Sequence, residues 1–172
     1  LQKHLIRLAA ALALAVSAIH AQAQNATVTF DFTQLTKNVA TDTITGSDGV
    51  TTLTLTVNSG VLVADSPSFV DPELEVAVKN SGRMITFNFS KNVTLENYEI
   101  GNHGSSWEGD ENFQLSNGIV TVTEPIPANI TNTTYDFTNK LSVLSTNNMT
   151  LTFINPDNGY DSISWLKMTV TA

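Results

Sequence analysis

The segment TTLTLTV, residues Thr51 to Val57, decides the fold class, because polar and apolar side chains alternate along it from Thr52 onward. Successive side chains of a β-strand point to opposite faces, so this segment has one apolar face and one threonine face. The same alternation recurs in six further segments, and no amphipathic helical pattern follows residue 23. These segments are TVTFDF (27–32), LEVAV (74–78), MITFNF (84–89), IVTVT (119–123), MTLTFI (149–154) and SISWLKMTVT (162–171).

Many short strands with polar outer faces and no crossover helices predict an all-β protein. We expect two antiparallel sheets that pack as a β-sandwich, of jelly-roll type. The pair Asn117-Gly118 suits the positive φ angles of a type I′ hairpin turn. Together with short links near residues 80 and 91, it predicts a five-strand antiparallel meander over residues 74–123.

Two of the strands change phase. Leu95 and Tyr98 lie on opposite parities of one segment, and Trp165 and Met168 do the same in another. An extra residue in a strand restores the phase, because a β-bulge rotates the following side chains to the other face. We therefore predict one bulge near Glu96-Asn97 and another near Trp165-Leu166.

The first 23 residues have the layout of a cleavable secretory signal. Lys3 and Arg7 precede an apolar run from Leu8 to Ile19, and a small-residue triplet ends at Ala23. The run is shorter than the roughly 20 residues that cross a bilayer as a helix. We expect a signal peptide over 1–23, a single β-sandwich domain over 24–172, no membrane span after cleavage, and a secreted, extracellular or periplasmic location.

The charge and the missing cysteines exclude several classes of function. The chain has 16 acidic and 8 basic residues, a net charge of −8, and no cysteine. An acidic surface disfavours nucleic acid and anionic membranes as partners. Without cysteine there is no disulfide framework and no thiolate metal site.

Three acidic segments are candidate calcium sites: 108–111, 155–161 and 65–73. Calcium takes six to eight oxygen ligands, which closely spaced carboxylates supply. The same segments are also typical of solvated, charged hairpin tips, which is the interpretation that we favour for 108–111. The candidate metal ligands are Glu108, Asp110, Glu111, Asp157 and Asp161.

Aromatic residues near these segments suggest a glycan site. A ring can stack on a sugar while neighbouring carboxylates accept hydrogen bonds from its hydroxyl groups. Trp107 is the main candidate, although it could instead fold over the sheet edge, and Trp165 is expected in the core. The candidate ligand-binding residues are Trp107, Tyr98, Glu108, Asp110 and Tyr160.

Catalysis has little support in the sequence. After residue 23 the only histidine is His103, and there is no Gly-x-Ser-x-Gly motif for a nucleophilic serine. A carboxylate pair that cleaves glycosides stays open, because the acidic residues allow many pairs. Threonine ladders can order water on an ice-binding face, but no fixed repeat is present, and β-propensity explains the threonines.

Three segments carry a resemblance to a known group: MITFNFSKNVTLENYEI (84–100), GDENFQL (109–115) and DSISWLKMTV (161–170). Together they resemble the secreted β-sandwich ectodomains of bacterial envelope proteins that carry a PEP-CTERM sorting tail. The resemblance implies a β-sandwich fold and an exported bacterial protein. The sequence printed here has no Pro-Glu-Pro signal, so we do not expect anchoring by that route.

These observations predict an exported, non-catalytic module that binds an extracellular glycan or polymer. The alternative is a structural or adhesive envelope or matrix protein that acts through protein contacts at sheet edges.

Chelation distinguishes the two interpretations of the acidic segments. If they hold structural Ca²⁺, EDTA lowers the melting temperature and added Ca²⁺ restores it, because a cation bound only to the folded state stabilises it. An unchanged melting temperature in EDTA would identify solvated tips instead.

Overall fold

The computed structural model describes residues 25–58, 60, 62, 74–75, 84–100, 112–125, 132–154 and 164–172. Nearly all of the regular structure in these ranges is β-strand, with one 3-10 turn at Phe32–Gln34. No helix among the described residues is long and apolar enough to cross a membrane. The strands are β1 Thr27–Asp31, β2 Thr41–Thr45, β3 Thr52–Val57, β4 Leu74–Glu75, β5 Met84–Phe89, β6 Val93–Ile100, β7 Asn112–Ser116, β8 Thr121–Pro125, β9 Thr133–Asp136, β10 Ser142–Val143, β11 Met149–Ile154 and β12 Ser164–Thr171.

The strands form two antiparallel sheets. Sheet A has the order β1-β12-β6-β10, with β4 pairing with β12 and β9 pairing with β6. Sheet B has the order β2-β3-β5-β11-β7-β8. The pairs are nested around the hairpin of β7 and β8. Outside this hairpin, β6 pairs with β9 and β10, β5 with β11, and β1 with β12. This nested pairing is that of a jelly roll, so the predicted fold class is confirmed.

Both predicted bulges are present, and both lie in the pairing of β6 with β12. Between the pairs Trp165↔Ile100 and Lys167↔Glu99, strand β12 carries the extra residue Leu166. Between Thr169↔Asn97 and Val170↔Leu95, strand β6 carries the extra residue Glu96. Each bulge thus appears at its predicted position, and the second restores the register that the first one shifts.

The predicted meander is wrong. Strand β5 belongs to sheet B and β6 to sheet A, so the link at residues 90–92 crosses between the sheets. Strands of opposite sheets point their apolar residues into the same interior, and therefore alternation alone does not say which sheet a strand joins. Among the described strands of the proposed meander, only β7 and β8 pair as neighbours.

The β7–β8 turn also differs from the predicted type I′ turn. Gly118 has a φ of 86°, whereas Asn117 is not among the described residues with positive φ. The Asn117 side-chain oxygen accepts hydrogen bonds from the N–H groups of Ile119 and Val120, at 2.9 and 2.8 Å. This local capping by asparagine supports a four-residue loop in place of the two-residue turn.

The space between the sheets is filled by apolar side chains, with an aromatic cluster around Trp165. Trp165 is 1% exposed, and the centroids of four neighbouring rings lie 5.2 to 6.1 Å from its own. Tyr98 comes from sheet A and Phe87 and Phe113 from sheet B, so this side chain joins both sheets. The expectation that Trp165 belongs to the core is confirmed. The four rings are those of Phe32, Phe87, Tyr98 and Phe113.

The turn between β2 and β3 is closed by a single carboxylate. Asp48 accepts hydrogen bonds from the N–H groups of Val50 and Thr51, and from the hydroxyl group of Thr51 at 2.5 Å. Thr51 is fully buried, so this hydroxyl depends on a protein partner. The bonds from Thr51, with smaller contributions from Val50 and Lys91, hold the pKa of Asp48 well below its ordinary value.

Removal of Trp165 should destabilise the whole sandwich. We expect Trp165→Ala to lower the free energy of unfolding by about 3–5 kcal/mol, because it leaves a cavity between the sheets. Urea titration measures the change. The matched control is Ile119→Ala, whose side chain is 85% exposed and whose loss should cost less than about 0.5 kcal/mol. Equal effects of the two substitutions would contradict the shared core.

Asp48 should make stability depend on acid pH. Its pKa is lower in the folded than in the unfolded chain, so its contribution is complete above the ordinary aspartate pKa of about 4 and is lost as the pH falls. We expect Asp48→Ala to lower the melting temperature at pH 7 and to flatten its decline below pH of about 4. A variant with the parent protein's full acid dependence would contradict this role.

Candidate functional site

Most of the predicted site residues lie outside the described residues. These are Trp107, Glu108, Asp110, Glu111, Asp157, Tyr160 and Asp161. Within the described ranges, no group of three histidine, aspartate or glutamate side chains could hold a metal ion. The calcium prediction therefore stays a prediction.

The strand ends that flank these segments all lie at one end of the sandwich. In sheet B, Ile154 pairs with Asn112, and in sheet A, Trp165 pairs with Ile100. The short link at 90–92 joins the two sheets at one end of the sandwich, and both of these pairs lie at the other end. The strands that precede and follow residues 101–111 therefore end and begin at this second end, and so do those that precede and follow residues 155–163.

Tyr98 is not available as a ligand-binding ring. It is 2% exposed, stacks on Trp165 at a centroid distance of 5.6 Å, and meets Phe113 edge to face at 5.4 Å. A sugar cannot stack on a ring that is covered on both sides, so the prediction for Tyr98 is wrong. Burial, reinforced by the negative charge of Glu124 and by Tyr135, raises the pKa of Tyr98 and keeps its phenol neutral.

The buried carboxylate near this ring supports the frame. Glu124 is 2% exposed, and its two oxygens accept hydrogen bonds from the N–H and hydroxyl groups of Thr138, both at 2.8 Å. Glu124 lies on β8, at the edge of sheet B, whereas Thr138 lies just after β9 in sheet A. The two bonds therefore tie one edge of sheet B to sheet A, and the carboxylate is enclosed instead of facing solvent.

The outer face of sheet A carries charges. Lys167 on β12 donates to Glu99 on β6 at 3.0 Å, and Lys140 forms an ion pair with Glu96, the bulged residue of β6. The hydroxyl group of Thr171 also donates to Glu96 at 2.8 Å. These bonds, first that of Lys140 and then that of Thr171, lower the pKa of Glu96. Exposed pairs of this kind contribute at most about 1 kcal/mol each, but they define a charged surface.

The outer face of sheet B is different, because none of its described strand side chains is charged. Alternate residues of each strand are buried, so those between them point outward. We call these outward side chains the hydroxyl face. They are Thr41, Thr43, Thr45, Thr52, Thr54, Thr56, Met84, Thr86, Asn88, Asn112, Gln114, Ser116, Thr121, Thr123, Pro125, Thr150 and Thr152.

Hydrogen bonds between strands fix the orientation of many of these groups. The hydroxyl groups of Thr43 and Thr54 lie 2.8 Å apart, and the amide of Asn88 donates to Asn148 at 2.8 Å. Gln114 donates to Thr123 at 3.1 Å. Hydroxyl and amide groups have several donor and acceptor positions each, so these contacts leave capacity for a further partner.

The sequence contained part of this signal. The Thr-x-Thr alternation is visible in residues 41–45 and 51–56, where β-propensity alone accounts for the threonines of each strand. The alignment of threonines from distant strands depends on the pairing of β3 with β5 and of β5 with β11, which no local pattern gives. The sequence therefore does not predict the hydroxyl face, although it predicts strands at β3, β5, β8 and β11.

No family model and no curated protein matches this chain. Solved structures of an exo-β-1,3-galactanase from Phanerochaete chrysosporium match it distantly, with 14% identity. The galactose complex gives a TM-score of 0.39, and a variant with β-1,3-galactotriose gives 0.38. Both alignments cover 84% of this chain, which spans only 29% of the galactanase chains.

Proposed function

We propose that this protein is an exported, non-catalytic β-sandwich module that binds an extracellular glycan or polymer. The observation that carries the proposal is the difference between the two outer faces. Sheet A presents ion pairs, whereas sheet B presents a broad array of uncharged hydroxyl and amide groups. Such groups match the hydroxyl groups of a polysaccharide, since each can both donate and accept hydrogen bonds.

The alternative, assembly through sheet edges, is disfavoured by charges at the edges of sheet B. Asp42 has the inward parity of its buried neighbour Ile44 on β2, and β8 carries the inward Glu124 followed by Pro125. Inward charges and proline on an edge strand oppose the addition of another strand. Burial raises the pKa of Asp42, but N–H groups of Thr36 and Thr43 donate to it and bring the pKa below its ordinary value.

The acidic segments remain a second candidate surface within the same function. Trp107, Glu108, Asp110 and Tyr160 belong to segments attached at one end of the frame, where a rigid scaffold commonly presents binding loops. An export signal over residues 1–23 and a location outside the cytoplasm are part of the proposal.

The test is cosedimentation with insoluble polysaccharides of several backbone types. We expect the parent protein to sediment with at least one of them and Thr150→Lys, at the centre of the hydroxyl face, to weaken binding by about tenfold or more, because an ammonium group must lose its water there. Thr134→Lys, an exposed threonine of sheet A, is the matched control and should bind as the parent does.

The variant Trp107→Ala tests in the same assay whether the acidic segments, the second candidate surface, bind the polymer. Loss of binding in this variant alone would place the site on the 101–111 segment. No sedimentation with any polymer, combined with association that grows with protein concentration, would contradict the function and support the assembly alternative. Reducing ends released from a bound polysaccharide would contradict the non-catalytic assignment.

A further inference from the structure

We infer that the hydroxyl face takes one class of ligand, an uncharged polysaccharide whose chain lies across the strands of sheet B. The inference rests on the proposed function and specifies the ligand's charge and its direction on the face. Two independent features of the structure lead to it: the segregation of charge between the sheets, and the register of the strands.

Charge selects a neutral ligand. The chain has a net charge of −8, yet the described side chains of the hydroxyl face carry none of it. An acidic polymer would find no cation on this face to replace its lost hydration, and it would be repelled by the protein as a whole. A basic polymer would instead bind carboxylates on other surfaces of the protein, for example that of Asp31 on sheet A. A polymer of uncharged sugars can exchange its bonds with water for bonds to hydroxyl and amide groups.

Register sets the direction. Pairing between neighbouring strands aligns one small hydroxyl side chain from every strand of sheet B into a continuous row. Neighbouring strands lie about 4.8 Å apart, so a row across six strands is roughly 24 Å long. The members of this central row are Thr41, Thr56, Thr86, Thr150, Ser116 and Thr121.

Longer side chains border the middle of the central row. On one side lie Asn88 and Asn148, which are hydrogen-bonded to each other. On the other side lie Met84, next to Thr86 on β5, and Gln114, next to Ser116 on β7. Thr152 on β11 lies between Met84 and Gln114, so the longer side chains flank the row only at some of the strands. A polymer chain along the central row meets a hydroxyl group at each strand and the amide groups of Asn88, Asn148 and Gln114 beside it.

The cross-strand bonds prepare this surface for binding. Thr41 donates to Thr56 at 3.2 Å, and Thr121 donates to Ser116 at 3.1 Å, so the outer parts of the row are already oriented. A ligand that meets oriented groups loses less side-chain entropy on binding than one that must order them. The oriented groups along the row favour an extended contact, in which affinity increases with the number of sugars.

Ligand class is tested by affinity electrophoresis with soluble neutral glucans and mannans against polygalacturonate. We expect binding to a neutral polymer to exceed binding to polygalacturonate by about tenfold or more. It should be nearly constant between about 0.05 and 0.5 M NaCl, because no charge pairs are formed. Equal or stronger binding of polygalacturonate, or binding that salt abolishes, would overturn the inference.

The direction of the ligand across the strands is tested with exposed positions toward both edges of sheet B. Thr56 and Thr121 lie on the central row on strands β3 and β8, and Thr45 lies on the same face but four residues from Thr41, the row residue of β2. We expect Thr56→Lys and Thr121→Lys each to weaken binding severalfold and Thr45→Lys to weaken it less than either. Thr134→Lys on sheet A, outside the hydroxyl face, is the control that should leave binding unchanged. Thr56→Val and Thr121→Val, which suit strands, repeat the test without added charge.

The outcomes separate this inference from the function beneath it. If a neutral polymer binds and Trp107→Ala alone abolishes binding, the function holds and the inference falls. If Thr45→Lys weakens binding as much as the row variants do, the direction across the strands is wrong. If the protein binds no polymer but inhibits ice recrystallisation, the face orders water instead, and both proposals fall.

Discussion

The pairing of β6 with β12 is the constraint on which the rest of the sandwich depends. These two strands lie side by side in the middle of sheet A, and each changes the parity of its apolar residues partway along. A regular ladder would expose part of one strand or the other, since a shift of one residue reverses every following side chain. The bulges at Leu166 and Glu96 remove this conflict. Between them, from Lys167↔Glu99 to Thr169↔Asn97, the pairing is shifted by one residue relative to the pairing before and after.

The enclosed segment determines both surfaces of sheet A. It sets Met168 opposite Tyr98 on the inner side and Lys167 opposite Glu99 on the outer side. The first pair contributes to the core around Trp165, and the second forms an ion pair. The bulged Glu96 is thereby released from the ladder and accepts bonds from Lys140 and Thr171. Of the two bulged residues, Glu96 adds to the charge of sheet A, whereas Leu166 is apolar. The described ladders of sheet B are regular, and most of its outward side chains are threonines.

Local alternation was sufficient to predict most strands and the fold class. The boundaries of β5 and β11 agree with the segments MITFNF and MTLTFI, and the parity changes located both bulges. Strands β2, β9 and β10 were missed because they are short or bury few apolar residues, such as Ile44 alone in β2. The assignment of β5 and β6 to different sheets depends on contacts between distant segments, which alternation does not encode.

The candidate site was less predictable, for a related reason. Tyr98 was assigned to ligand binding as an aromatic residue, although the bulge at Glu96 already gave it the inward parity of Ile100. The bulge argument was the stronger of the two, because it used the whole strand and not the residue type. The threonine rows of sheet B are individually visible in the sequence. Their alignment follows only from the pairing of residues as distant as Thr41 and Thr150.

Cross-strand nuclear Overhauser effects in isotopically labelled protein test the central claim most directly. The two-bulge pairing predicts contacts between the backbones of Met168 and Tyr98 and of Lys167 and Glu99, with Val170 opposite Leu95. A regular ladder that begins at Trp165 and Ile100 would instead place Met168 opposite Asn97. Contacts of that second kind would contradict the account, since Tyr98 and Met168 could not then both face the core.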